Sequence, residues 1–298
     1  MKKVIILAVL TLMGQPAWAQ IREFQTTRLM STGGAGVASI LSTEAAILNP
    51  AASAFFDGSS FSYQSYRTAL QNKSDLRATA TDEFPKKNLS SGAFMADNSG
   101  PVKGGIAYLN QDENSYERER MVFHAAAPIS TATSLGFSYS YLNDTLPSNS
   151  RNRHRIHHQA SAGMTHIIDE STVLGLVIQD PTRTTPGEER LLAGFQYNIA
   201  ERFMILGDAG AQYTKSFSEK YVWRGAVQLN VFSDFFLRAG KFYDNISELK
   251  GTGWGAAWIG PRIGVEFAQK YSEQFGSGSY VYEEEKLVDT SLSAFIKF

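Results

Sequence analysis

The sequence predicts an all-β fold: a transmembrane antiparallel β-barrel of about 14 strands, preceded by an N-terminal plug segment. Three observations predict it. The chain opens with an export leader, continues in period-two alternation whose large apolar residues suit a lipid-facing surface, and joins its segments by alternately short and long connections.

The leader occupies residues 1–19. Lys2 and Lys3 form a positive start, Val4 to Met13 is an apolar run ended by Gly14 and Pro16, and Ala17-Trp18-Ala19 places small residues at a cleavage site. A membrane anchor needs about 20 apolar residues, roughly twice this run. No later segment is long and apolar enough for a spanning helix, so a membrane-resident form of this exported chain has to be a barrel.

Residues 59–298 carry the barrel pattern. Leu135, Phe137, Tyr139 and Tyr141 alternate with Ser134, Gly136, Ser138 and Ser140. Tyr221, Trp223, Val227 and Leu229 alternate with Arg224, Ala226, Gln228 and Asn230, and Ile263, Val265 and Phe267 with Arg262, Gly264 and Glu266. The face of small and polar residues is a poor hydrophobic core, whereas aromatics near strand ends match the girdles of an outer-membrane barrel. Strands are expected near 59–68, 88–96, 102–110, 119–127, 133–142, 155–166, 171–180, 190–198, 203–213, 220–231, 235–244, 251–259, 262–271 and 286–298. The connections 97–101, 128–132, 168–170, 199–202, 232–234 and 260–261 are short; 70–87, 111–117, 143–154, 181–189, 214–219, 245–250 and 272–285 are mostly longer and more charged. The short side is expected to face the periplasm. The last strand ends on Phe298, which resembles the terminal signature read by the barrel-assembly machinery.

Composition narrows the function classes. The net charge is −1, or −3 without Lys2 and Lys3, so no basic excess marks a nucleic-acid partner. With no cysteine, disulfides, thiolate metal sites, cysteine catalysis and Cys-linked lipid anchors are excluded.

Residues 20–58 do not alternate like strands. They hold Gly33-Gly34-Ala35-Gly36, then Ser42 to Leu48 with Ser42 as a helix N-cap and Glu44 in its first turn, then Asn49-Pro50-Ala51. Pro50 keeps the helix short, and the glycines suit a compact element wedged inside something else. This stretch resembles the N-terminal hatch of the FadL-like long-chain fatty-acid transporters and the toluene-transporter group. A Gly-Ala segment and an Asn-Pro-Ala motif before the first strand carry the likeness, at Gly33, Gly34, Ala35, Gly36, Asn49, Pro50 and Ala51. PorV-like proteins of secretion and surface attachment share this opening. The resemblance implies a fourteen-stranded barrel with a hatch and passive uptake of a hydrophobic small molecule, without cofactor. The outer loops between 111 and 154 are shorter and more polar than that family's, so its surface capture groove does not carry over.

Other constellations have plainer explanations. Gly33–Gly36 lacks the flanking strand and long helix of a dinucleotide loop. His154, His157 and His158, with Arg151, Arg153 and Arg155, read as a basic strand mouth near lipopolysaccharide phosphates; no metal site is expected, since only His154 and His158 share a face. His124 has no hydrolase motif around it and is expected to be a buried, hydrogen-bonded histidine; the chain is not expected to be an enzyme.

Parity turns Lys103, His124, Asp208, Arg224, Arg238, Glu266 and Lys270 toward the lumen. A symmetric 214–219 loop sets Asp208 opposite Arg224, and such pairs are expected to anchor the hatch. Gly251, Gly253 and Gly255 mark either a strand bend or a close contact with the hatch. The expected function is hatch-gated uptake of a fatty-acid-like compound across the outer membrane of a Gram-negative-type bacterium. The alternatives are a PorV-like platform for a protein partner or secreted cargo, and a diffusion porin.

Overall fold

The computed structural model describes residues 22–40, 45–56, 58–71, 88–113, 116–146, 154–185, 187–200, 202–275 and 286–298. The leader and the Ser42–Glu44 helix start lie outside the described residues. Fourteen strands form one closed antiparallel barrel: β1 Ser59–Gln71, β2 Leu89–Asp97, β3 Lys103–Glu113, β4 Tyr116–Pro128, β5 Thr133–Thr145, β6 His154–Ile167, β7 Thr172–Gln179, β8 Arg190–Ile199, β9 Phe203–Ala211, β10 Tyr221–Phe232, β11 Phe235–Asp244, β12 Leu249–Ile259, β13 Ile263–Gln274 and β14 Lys286–Lys297. Each strand pairs with its sequence neighbours, and β14 closes the ring on β1 from Ser60↔Lys297 to Gln71↔Lys286. Closure leaves no open sheet edge at the seam, the condition a sheet must meet to cross lipid.

Alternation sorts side chains as the sequence predicts. Phe137, Trp254, Phe195 and Leu292 are exposed on the outer wall, while Asp208, Arg224, Arg238 and Ser291 are buried within. An apolar outer face around a polar interior requires a hydrocarbon surround.

Several loops are shorter than expected, two of them for visible reasons. β3 and β4 pair as far as Glu113↔Tyr116, leaving only 114–115 between them, because Asp112 and Glu117 continue the ladder despite their charge. Likewise β12 starts at Leu249, so only 245–248 separate it from β11, and Asp244 Oδ1 accepts from the Ile246 and Ser247 amides to make the tight turn. We call the end bearing 98–102 and the five other short connections the turn end, and the opposite end the loop end.

The described residues between Arg22 and Phe56 run from the loop end to the turn end through the lumen. Helix α1, Thr27–Ser31, is capped by Thr26, whose hydroxyl accepts from Leu29 N at 3.1 Å. A 3₁₀ turn, Pro50–Phe55, is capped by Asn49, with Pro50 at a position where a missing N–H costs nothing. At only five residues, α1 is too short to show a periodic signal. Gly253 and Gly255 of β12 mark contact with the segment rather than a bend, whereas a side chain at Gly251 would meet the Tyr271 carbonyl of the neighbouring strand. A side chain at Gly253 would strike the Met30 carbonyl, one at Gly255 would press on Ser31, and β12 keeps unbroken register with β11 and β13. On the other wall, side chains at Gly136 and Gly175 would collide with the backbone at Ala51 and Val37. Glycine thus lets wall and segment meet backbone to backbone.

Candidate functional site

The site is the filled lumen, and its chemistry lies where the wall grips the N-terminal segment. At the loop end Arg22 ties two strands together: Nη1 meets Asp289 Oδ2 of β14 at 2.9 Å and Nη2 meets Glu113 Oε1 of β3 at 3.1 Å. Nη2 also donates to Thr68 Oγ1 of β1 at 2.7 Å. Glu23 accepts from Arg190 of β8 at 3.3 Å and Arg224 of β10 at 3.1 Å. Lys270 Nζ donates to Gln25 Oε1 at 2.9 Å. Buried groups of either sign need such partners, because leaving one unpaired costs several kcal/mol.

Midway down, the register sets Asp208 directly opposite Arg224, as the symmetric loop predicts. Both side chains engage the segment. Asp208 Oδ2 accepts from Gly36 N at 2.8 Å and its Oδ1 from Val37 N at 3.2 Å, while Arg224 Nη1 donates to the Gly34 carbonyl at 3.0 Å. Gly33 and Gly34 lie at φ +63° and +87°, which turns the chain so that successive amides face the carboxylate. Ala35 packs in the small apolar cluster with Leu206 and Ala226.

Asn49 is the hub nearer the turn end. Its Nδ2 donates to the Val37 carbonyl at 2.7 Å and to Thr165 Oγ1 of β6 at 3.0 Å, and its Oδ1 accepts from Ala51 N at 3.1 Å. Ser134 Oγ of β5 donates to the Ala51 carbonyl at 2.8 Å, and Lys103 Nζ to the Phe56 carbonyl at 3.1 Å. Arg238 and Glu266 pair with each other at 2.9 Å, and Arg238 also donates to Gln228. They hold the wall together and are not bonded to the segment. His124 is buried, but neither ring nitrogen has a hydrogen-bond partner; the expected hydrogen-bonded histidine is therefore corrected. Its cross-strand neighbours are Gly105, without a side chain, and Ser138, whose hydroxyl does not bond to the ring.

Sequence reasoning missed Arg22, Glu23, Gln64, Thr165, Ser134, Glu113 and Asp289. Glu113 falls in the expected 111–117 connection because the expected β3 stops at 110, three residues short of its end. Gln64, whose Oε1 accepts from Thr27 N at 3.0 Å, has lumen parity but no charge to draw attention to it.

A further layer closes the loop end. Glu188, from the 180–189 connection, reaches into the barrel and pairs with Arg118 at 2.6 Å and Arg120 at 2.8 Å, while Gln159 donates to it at 2.9 Å. Burial alone would raise the Glu188 carboxyl, but the two guanidiniums and the amide hold it well below the ordinary carboxylate range. Between this layer and the segment lies a cavity of about 70 Å³, bordered by Phe24, Met30, Tyr66, Phe242, Arg120 and Lys270. The His154–His158 run splits by face: His157 stands 3.8 Å from Asp144 inside, and His158 bonds Tyr139 outside. No cluster of three metal-ligating groups occurs among the described residues.

No protein-family model matches the chain, and no curated protein is similar to it in sequence. Solved structures are similar in fold. The Ralstonia pickettii toluene transporter TbuX is 12% identical with a TM-score of 0.67, covering 93% of this chain and 99% of that one. The Pseudomonas putida toluene transporter TodX is 11% identical with a TM-score of 0.66, over 94% and 98%. A Pseudomonas aeruginosa FadL homologue is 13% identical with a TM-score of 0.61, over 92% and 98%. The chain therefore has the fold of the FadL-type transporter barrels, the resemblance expected from its N-terminal motifs.

Proposed function

We propose that this is an outer-membrane barrel in which residues 20–58 act as a plug and residues 59–298 as the wall, and that it passes a hydrophobic small molecule of fatty-acid type. The observation that carries this reading is how the lumen is filled. The segment is held by hydrogen bonds and ion pairs over a buried apolar seam, with Phe24, Met30, Tyr66 and Phe94 in one cluster and Leu29, Val37, Leu48 and Val177 in another. The toluene transporters named above share this fold. A cavity of about 70 Å³ holds a few waters, whereas drug-sized ligands occupy roughly 300–1,000 Å³. Passage therefore requires the plug to shift, which uncovers the seam. An alkyl chain entering it gains about 0.8 kcal/mol per buried CH₂, and the ligand selects the shifted arrangement by its higher affinity for it. The process needs no covalent step and no cofactor.

The test is a titration of folded protein with a fluorescent long-chain fatty acid, beside Asn49→Ala. The substitution strands the Val37 carbonyl and the Ala51 amide, at roughly 1–3 kcal/mol each. A looser plug makes the seam easier to reach, so saturable binding should tighten about tenfold or more. Absence of saturable binding up to about 100 μM in folded protein sinks the uptake reading. The small cavity favours one second reading, a PorV-like platform for a protein partner, for which a stoichiometric partner in pull-downs is the expected result.

A further inference from the structure

Outside the barrel, near the loop end, neighbouring strands present an aromatic and basic surface that uptake does not use. The register lines up Trp223, Tyr243, Lys250, Glu273 and Lys286 across β10 to β14. Two residues deeper, about 7 Å along the strands, runs a second row of Gly225, Lys241, Thr252 and Tyr271. Alternation turns both rows outward.

The rows enclose a hollow. A side chain at Gly225 would meet nothing, and a depression of about 540 Å³ opens over Lys241, Thr252 and Tyr271. One wall is built and stiff: Trp223 lies parallel to Tyr243 at 6.3 Å, and Tyr243 stacks on Phe275 at 4.6 Å. Lys241, Lys250 and Lys286 border the depression against a single carboxylate, Glu273, which stays 3.9 Å from Lys250. The outer wall of β4 at the same end has the opposite character: Glu117 and Glu119 face out while Arg118 and Arg120 turn into the lumen.

A ligand suited to this hollow has an anionic group to meet the lysines and apolar chains to lie against the aromatics, both at headgroup level on the lipid-facing wall. That combination describes a phosphorylated membrane lipid, not a free anion. We propose that the hollow binds the lipid A part of outer-leaflet lipopolysaccharide, with Lys241, Lys250 and Lys286 donating to its phosphate oxygens and Trp223, Tyr243 and Tyr271 covering the first carbons of its acyl chains. The inference rests on the outer-membrane placement given above, with the loop end outward. It assigns the lipopolysaccharide contact to β10–β14 rather than to the basic run at 151–158, where Arg151 and Arg153 lie outside the described residues.

Native mass spectrometry of the folded barrel with bis-phosphorylated lipid A tests the site. One lipid per barrel is expected to survive detergent exchange, and the triple variant Lys241→Gln, Lys250→Gln, Lys286→Gln should hold it at least about tenfold more weakly. Arginine at the same three positions should restore retention, and Arg151→Gln with Arg153→Gln should leave it unchanged. Equal retention by the triple glutamine variant, equal retention of fully dephosphorylated lipid, or loss in the Arg151/Arg153 variant overturns the assignment. Heat-dependent gel migration shows that each variant is folded. Membrane fractionation separates the two failures: protein absent from the outer membrane defeats the placement, whereas protein present there with lipid-independent behaviour defeats only the lipid site.

Discussion

Asp208→Ala is expected to turn an electrically silent barrel into one with large, flickering conductance. The carboxylate is the acceptor for two successive buried amides, Gly36 N and Val37 N, just after the turn of the N-terminal segment at Gly33 and Gly34. Truncation leaves both donors without a partner, at about 1–3 kcal/mol each, and leaves the Arg224 guanidinium opposite an empty position. A combined loss of about 3–5 kcal/mol is reasonable for a disrupted buried charge cluster. Since 1.4 kcal/mol is a factor of ten, the ratio of docked to undocked plug should fall by roughly a hundred- to several-thousand-fold. The wall should survive, because residue 208 keeps its backbone place in the ladder between Gly194 and Arg224. Arg224→Ala removes the bond to the Gly34 carbonyl, one of two cations on Glu23 and the cation opposite Asp208, but it leaves the Gly36 and Val37 amides bonded, so its effect should be smaller. Single-channel recording in planar bilayers, with limited proteolysis of residues 22–56, reads both variants. A silent trace and unchanged protease resistance for Asp208→Ala would remove this carboxylate from the anchoring of the plug.

What the sequence reveals and what it hides follow from range. Strand parity is local: each of the 14 segments announces which residues face out, so Phe137, Trp223 and Val265 declare the outer wall and Asp208 and Arg224 the lumen. Register across a short loop is nearly local, which is why Asp208 and Arg224 can be paired by arithmetic. The grip of the wall on the N-terminal segment is not local. Arg22 meets Asp289 across 267 positions, and nothing near either residue marks the other as its partner. Strand ends are ambiguous in the sequence where charge and position conflict. Asp112 and Glu117 look like loop residues but sit in a ladder beyond the apolar belt, where a barrel wall meets water and charge costs little. The wall glycines are similar. Gly253 reads equally as a bend or a contact until Met30 is seen against it.

The second large effect is expected at the loop end, from Glu188→Gln. The Glu188 carboxylate is shared by Arg118 and Arg120, of which Arg118 also binds Asp144 through two oxygens at 2.7 and 2.8 Å. A neutral amide in its place leaves Arg120 without its carboxylate partner in a buried setting, a loss of about 3–5 kcal/mol where a buried pair is broken. The 180–189 connection has its own internal order: Asp180 Oδ2 accepts from Thr185 N at 2.7 Å, its Oδ1 from Thr184 N at 3.1 Å, and Glu189 Oε2 from Gly187 N at 2.7 Å. It should therefore lift as a unit and not unravel. Amide exchange at Thr185 reports local order, while liposome swelling with small solutes, measured in the Asp208→Ala background where the plug no longer blocks the lumen, reports passage through the loop-end layer. The variant should speed swelling several-fold and leave Thr185 protection largely intact. Acid should imitate the substitution, with a definite sign. The folded Glu188 carboxyl is held below its ordinary value, so its contribution is complete above about pH 4.3, where the unfolded group ionises, and declines as pH falls further toward the depressed folded value. With Glu188 intact in that background, swelling should thus be independent of pH from neutrality down to about 4.3 and rise only below it, while Glu188→Gln should lack that rise. A variant that swells no faster than that background at neutral pH would show that the Glu188 pairs do not restrict entry.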